Sequence, residues 1–125
     1  MTMTAQDYQR LGTTEHRLQV LVLDHIRVSA KPGVFAMAFP NAGRRSPRMG
    51  QHMKAEGLAP GAPDLVVVLP GGKAAWLELK NGRAGRQSVA QKGMQARLTW
   101  MNHPYGLART LDEAIEFLSR VGALR

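Results

Sequence analysis

The run Pro63-Asp64-Leu65-Val66-Val67-Val68-Leu69-Pro70-Gly71-Gly72-Lys73-Ala74-Ala75-Trp76-Leu77-Glu78-Leu79-Lys80 decides the fold. Asp64 to Leu69 is almost wholly apolar and predicts a strand covered on both faces. Pro70-Gly71-Gly72 turns the chain, and Ala74 to Lys80 returns as the partner strand. Residues two apart on a strand share a face, so Glu78 and Lys80 point together while Leu77 and Leu79 point into the core. An acid and a base on an apolar strand are costly unless they are paired or used. Paired, they form an ordinary surface ion pair. Used, the carboxylates of Asp64 and Glu78 suit Mg²⁺, with Mn²⁺ as a substitute and the Leu79 carbonyl as a further ligand. Such an ion neutralises charge on a phosphate and lowers the pKa of an attacking water. Lys80 then orients that water and stabilises the developing negative charge.

The hairpin register discriminates the two. With a two-residue Gly71-Gly72 turn, Pro70 pairs with Lys73, and Asp64 falls opposite Leu79, on the face away from Glu78. A metal site requires either a three-residue loop, Pro70-Gly71-Gly72, or a bulge near Asp64. One of these is predicted.

Outward from the hairpin, Thr13 or Thr14 caps a helix to about Val28, with Leu18, Leu21, Val22 and Ile26 as its apolar stripe. Val34 to Phe39 is a strand, with Phe35, Met37 and Phe39 on one face. Ser46-Pro47 opens a short helix to about Glu56, and Gly57 closes it. After an Asn81–Gln87 loop rich in glycine and arginine, Ser88 opens a helix to about Asn102, with Met94, Leu98 and Met101 in its buried stripe. A short strand at Leu107–Arg109 follows. Thr110 and Glu113 then stand at capping-box spacing for a last helix to about Val121. The order predicts a mixed α/β domain, one sheet with helices packed on it. At 125 residues the chain holds one domain, residues 13–125, after a loosely held polar segment 1–12. There are no cysteines, which excludes disulfides and thiolate-ligated metal and is compatible with a cytoplasmic location. The longest apolar run is Leu65 to Leu69, well short of a membrane span, and MTMTAQDYQR has no apolar core of a signal peptide.

Lysine plus arginine is 17 against 9 acids, a net charge of +8. No acid stands between Asp24 and Glu56, or between Glu78 and Asp112. Two acid-free basic windows favour a nucleic acid as partner over a merely solvated basic surface. Arg44, Arg45 and Arg48 precede the Asp64 strand, and Arg83, Arg86 and Lys92 follow Lys80. Both groups converge on the acids and are expected to bind phosphates, which fixes position without reading sequence.

Asp64 with Pro63 before it, then Glu78-Leu79-Lys80, resembles the PD-(D/E)XK nuclease signature. Its surroundings are more specific. Asn41-Ala42-Gly43-Arg44-Arg45-Ser46, Leu58-Ala59-Pro60-Gly61-Ala62-Pro63-Asp64-Leu65, Ser88-Val89-Ala90-Gln91 and Arg109-Thr110-Leu111-Asp112-Glu113-Ala114 resemble, in order and spacing, the virus-type replication-repair nuclease domain, VRR-NUC. The likeness runs from about Glu15 to Leu118, and Ala42, Ala62 and Ala90 depart from the commoner residues without removing a catalytic group. The resemblance implies a restriction-endonuclease-like α/β core. It also implies a metal-dependent endonuclease of the compact phage and bacterial kind, acting as a homodimer on branched DNA such as a Holliday junction, in the cytoplasm of a bacterial or phage-infected cell. By the same resemblance Asp64, Glu78 and Lys80 are catalytic, Glu15 is the acid on the first helix, directly or through water on the metal, and Gln91 lines the site. A restriction-like, flap or single-strand nuclease, and a non-catalytic nucleic-acid-binding module, are the alternatives.

Local readings stand beside these roles. Glu15 shares the stripe of Leu18 and Val22, but any acid is favourable near a helix N-terminus. Gln91 stands three residues after Ser88, so it is equally a capping-box glutamine. Trp76 shares the Glu78 face and either walls the site or packs under a helix.

Overall fold

In the computed structural model, residues 14–39, 55–57, 59–80, 82 and 85–125 are described. The segment 1–12, the greater part of the short helix expected before Glu56, and Arg44, Arg45, Arg48 and Arg83 lie outside them. The elements are α1 (Thr14–Ser29), β1 (Phe35–Ala38), β2 (Leu65–Leu69), β3 (Lys73–Leu79), α2 (Val89–Trp100), β4 (Tyr105–Ala108) and α3 (Leu111–Arg120). The four strands form one sheet in the order β1-β2-β3-β4, with β1 and β2 antiparallel to their neighbours and β4 parallel to β3. Among the described residues, no helix is long and apolar enough to cross a membrane.

Pairing of Leu69 with Lys73 makes Pro70-Gly71-Gly72 a three-residue loop. Gly71 and Gly72 hold φ of 75° and 72°, a left-handed pair that side chains resist. The pairing of Leu65 with Leu77 carries the register on, so that Asp64 stands opposite Glu78. The arrangement a metal site requires is the one observed.

One sheet face is the core. Leu65, Val67, Leu69, Ala75, Leu77, Leu79 and Ala108 pack there against Leu18, Val22 and Ile26 of α1 and Ala114, Phe117 and Leu118 of α3. Leu21, expected in the α1 stripe, is only half-buried. Thr110 caps α3 by accepting from the Glu113 N–H at 3.1 Å, but the Glu113 carboxylate accepts from the Arg109 N–H, one residue short of a closed capping box.

The other face carries Phe35, Met37, Val66, Trp76, Glu78 and Tyr105, and α2 contacts the sheet at β4. Two expectations are corrected here. No residue of α2 is buried: Met94 and Leu98 are half-covered, and Met101 is 63% exposed. A helix lying over a polar site needs no continuous apolar stripe, and α2 turns Gln91 and Gln95 inward beside Met94 and Leu98. The last strand is Tyr105–Ala108, not Leu107–Arg109. Pairing with Trp76 recruits Tyr105 into the sheet although His103-Pro104 before it has the composition of a turn.

Candidate active site

Asp64, Glu78 and Lys80 come together at the sheet end where β2 begins and β3 finishes. Glu78 is fully buried and Lys80 is 8% exposed; they are the buried charged residues among those described. That excludes an ordinary surface ion pair. Two charges held this deep cost several kcal/mol unless each has partners, on the order of the penalty known for buried ions.

The partners are specific. Asp64 Oδ2 accepts from the Leu79 N–H at 2.6 Å, tying the start of β2 to the end of β3. Glu78 Oε1 accepts from the Tyr105 hydroxyl at 2.6 Å. Glu78 Oε2 is buried and has no partner among the described residues. Lys80 Nζ donates to Gln91 Oε1 at 2.7 Å, a neutral acceptor that spends one of its three protons.

Gln91 joins a helix cap to a contact with Lys80. Its Oε1 accepts from the Ser88 N–H at 2.8 Å, and its own N–H donates to Ser88 Oγ at 3.1 Å, closing a capping box. The same Oε1 holds Lys80, so the helix cap is the lysine's anchor. Arg109 secures the intervening loop: its guanidinium donates to the carbonyls of Gly82, at 2.6 Å, and of Gly85.

Asp64 is pushed up to about 6 from an ordinary 3.8. Burial is the main cause, and the charges of Glu15 and Glu78 add to it against the Leu79 hydrogen bond and the Lys80 charge. Glu15, at the N-terminal turn of α1, therefore reaches the site as a field. It does not complete a cluster: among the described residues, no three His, Asp or Glu side chains stand together as metal ligands. The donor set in place is the pair Asp64 and Glu78, with a buried carboxylate oxygen left over. That fits Mg²⁺ or Mn²⁺, which takes one or two carboxylates and completes its shell with water and phosphate.

Trp76 lies half-buried on the Glu78 face of the sheet, next to the site. Its ring stacks on Phe39 at 5.8 Å and meets the edge of His103 at 5.9 Å. Arg86 and Lys92 are exposed on the loop and helix that follow Lys80. Sequence reasoning missed Tyr105. The signal available was its two-residue spacing from Leu107, which places a phenol on the Glu78 face of a neighbouring strand.

Gly61 locks the approach to Asp64. It holds φ of 79°, and a Cβ there would run into the Ala90 carbonyl and stand 2.7 Å from the Gln91 nitrogen. Gly61→Ala is expected to lower stability by about 2 kcal/mol more than Gly33→Ala, which shares a positive φ but faces open space. Denaturant midpoints of the two variants measure the difference, and equal midpoints would show that α2 yields freely.

No protein-family profile matches the chain, and no curated protein matches it in sequence. Solved structures do. A VRR_NUC domain protein is similar over 87% of this chain and 88% of its own, with a TM-score of 0.67 at 20% identity. A second structure, a VRR_NUC domain, is similar over 86% of this chain and 97% of its own, with a TM-score of 0.61 at 18% identity. With its mixed four-stranded sheet and the order of its helices, the chain shares the α/β fold of these VRR_NUC domain structures.

Proposed function

We propose that the protein is a divalent-metal-dependent endonuclease of the VRR-NUC kind that hydrolyses DNA phosphodiester bonds. The observation that carries this is the fully buried Glu78, whose Oε2 has no partner among the described residues and which stands opposite Asp64 beside Lys80. A binding module with the same fold has no use for a buried, half-satisfied carboxylate.

Asp64 and Glu78 hold Mg²⁺ or Mn²⁺, with the Leu79 carbonyl and, through water, Glu15 as further ligands. When bound, the ion supplies charge neutralisation at the scissile phosphate and acidifies water. Lys80 keeps two protons free after bonding Gln91, one to orient the attacking water and one to stabilise charge on the phosphate. Gln91 fixes the direction of those protons. Arg86 and Lys92 take flanking phosphates, together with Arg44, Arg45, Arg48 and Arg83. The preferred substrate is branched DNA, a four-way junction first, cut by a homodimer whose two sites address two symmetric strands.

The test is cleavage of a labelled four-way junction, a flap, a duplex and a single strand in Mg²⁺, Mn²⁺ and EDTA. Metal-dependent junction cutting is expected. Cutting confined to another substrate would keep the chemistry and remove the junction preference. Tight DNA binding with no cleavage in any metal would leave a binding module.

A further inference from the structure

We infer that Tyr105 is a positioning residue that makes Glu78 a one-oxygen ligand and thereby sets the site's preference for small divalent cations over Ca²⁺. The inference rests on the metal site proposed above and adds to it a residue that neither motif contains.

The geometry is asymmetric. Tyr105 Oη donates to Glu78 Oε1 at 2.6 Å, while Oε2 of the same buried carboxylate has no partner among the described residues. A phenol is a neutral donor that fixes the rotation of the carboxylate and occupies one lone pair without cancelling its charge. Tyr105 is half-buried on β4, in register with Trp76, and the parallel β3–β4 pairing holds its ring on the face that Glu78 shares. Trp76 is itself packed between Phe39 and His103, so this neighbour is fixed as well.

The consequence is coordinative. Mg²⁺ demands a compact octahedral shell, which favours carboxylates bound through a single oxygen, whereas Ca²⁺ takes six to eight ligands and readily accepts both oxygens of one carboxylate. A hydroxyl on Oε1 opposes two-oxygen binding. Partners that orient a ligand in this way commonly change metal affinity by about 10-fold or more when removed.

Tyr105→Phe removes the hydroxyl and keeps the ring. Mn²⁺ binding to the full chain is followed by the loss of the free-ion electron paramagnetic resonance signal, then Mg²⁺ or Ca²⁺ is titrated in as competitor. Wild type is expected to release Mn²⁺ more readily to Mg²⁺ than to Ca²⁺. In Tyr105→Phe, Mg²⁺ should weaken as a competitor by about 10-fold while Ca²⁺ holds or gains. An unchanged Mg²⁺ to Ca²⁺ ratio overturns the inference and leaves the metal site standing. Equal weakening of both ions with a lowered thermal midpoint also overturns it, since that is loss of packing alone. Absence of Mn²⁺ binding by wild type removes the metal site and the inference together.

Discussion

Lys80→Met is expected to reduce metal-dependent DNA cleavage by about 10²–10³-fold while DNA binding in EDTA stays unchanged. The lysine stem is buried and its ammonium sits at the site, held by one bond to Gln91 Oε1. Methionine fills the stem's volume and removes only the charge. The cap of α2 survives, because Gln91 Oε1 still accepts from the Ser88 N–H and Ser88 Oγ still accepts from the Gln91 N–H. The fold is therefore retained and the loss falls on the rate. Losing the cation also leaves the buried acids without the charge that offsets them, so in EDTA the variant is expected to be somewhat less stable than wild type, which a denaturant titration checks. A variant that cuts at the wild-type rate would remove Lys80 from the chemistry.

The fold was legible because its strongest signals are local. The apolar run Leu65–Leu69, the Pro70-Gly71-Gly72 turn and the Leu77/Leu79 alternation require a hairpin, and the metal hypothesis itself required either a bulge near Asp64 or the three-residue loop, which is the one that Leu69 and Lys73 form. Asp64, Glu78 and Lys80 were legible for the same reason: strand parity fixes which side chains share a face. What escaped depends on contacts distant in sequence. Tyr105 follows His103-Pro104, and nothing local reveals that β3 will recruit it into the sheet and place its hydroxyl on Glu78, 27 residues earlier. Both readings of Gln91, helix cap and site lining, were open in the sequence; that one oxygen serves Ser88 and also Lys80, 11 residues earlier, emerges only in three dimensions. Met101 matched the helical period of a buried stripe, yet the sheet face beneath α2 is given over to the site and the aromatic residues beside it.

Asp64→Asn is expected to abolish metal-dependent cleavage and, in EDTA at pH 8, to stabilise the fold by about 1–2 kcal/mol. Asn retains an oxygen to accept from the Leu79 N–H, so the tie between β2 and β3 persists. What it removes is a carboxylate that burial, Glu15 and Glu78 push up to about 6 from 3.8. A shift of roughly two units corresponds to about 3 kcal/mol at most, and partial exposure of the group reduces that. The sign follows from proton linkage. Between pH 3.8 and about 6 the folded chain keeps a proton that the unfolded chain gives up. This group's contribution is thus most favourable below the unfolded value and is lost as pH rises through the folded one. The gap between Asn and wild type should therefore be largest above pH 6 and close as pH falls toward 3.8. Saturating Mg²⁺ should narrow the gap at pH 8 by stabilising wild type alone, since a ligand that binds only the native state adds to its stability. Denaturant titrations from pH 4 to 8, with and without Mg²⁺, measure each arm. An Asn variant less stable than wild type at pH 8 in EDTA would mean that the acid pair is held together by the fold itself. The observed pattern instead predicts a chain that carries two mutually repelling carboxylates at a cost to its own stability, which is the expected signature of a site kept for a cation and a phosphate.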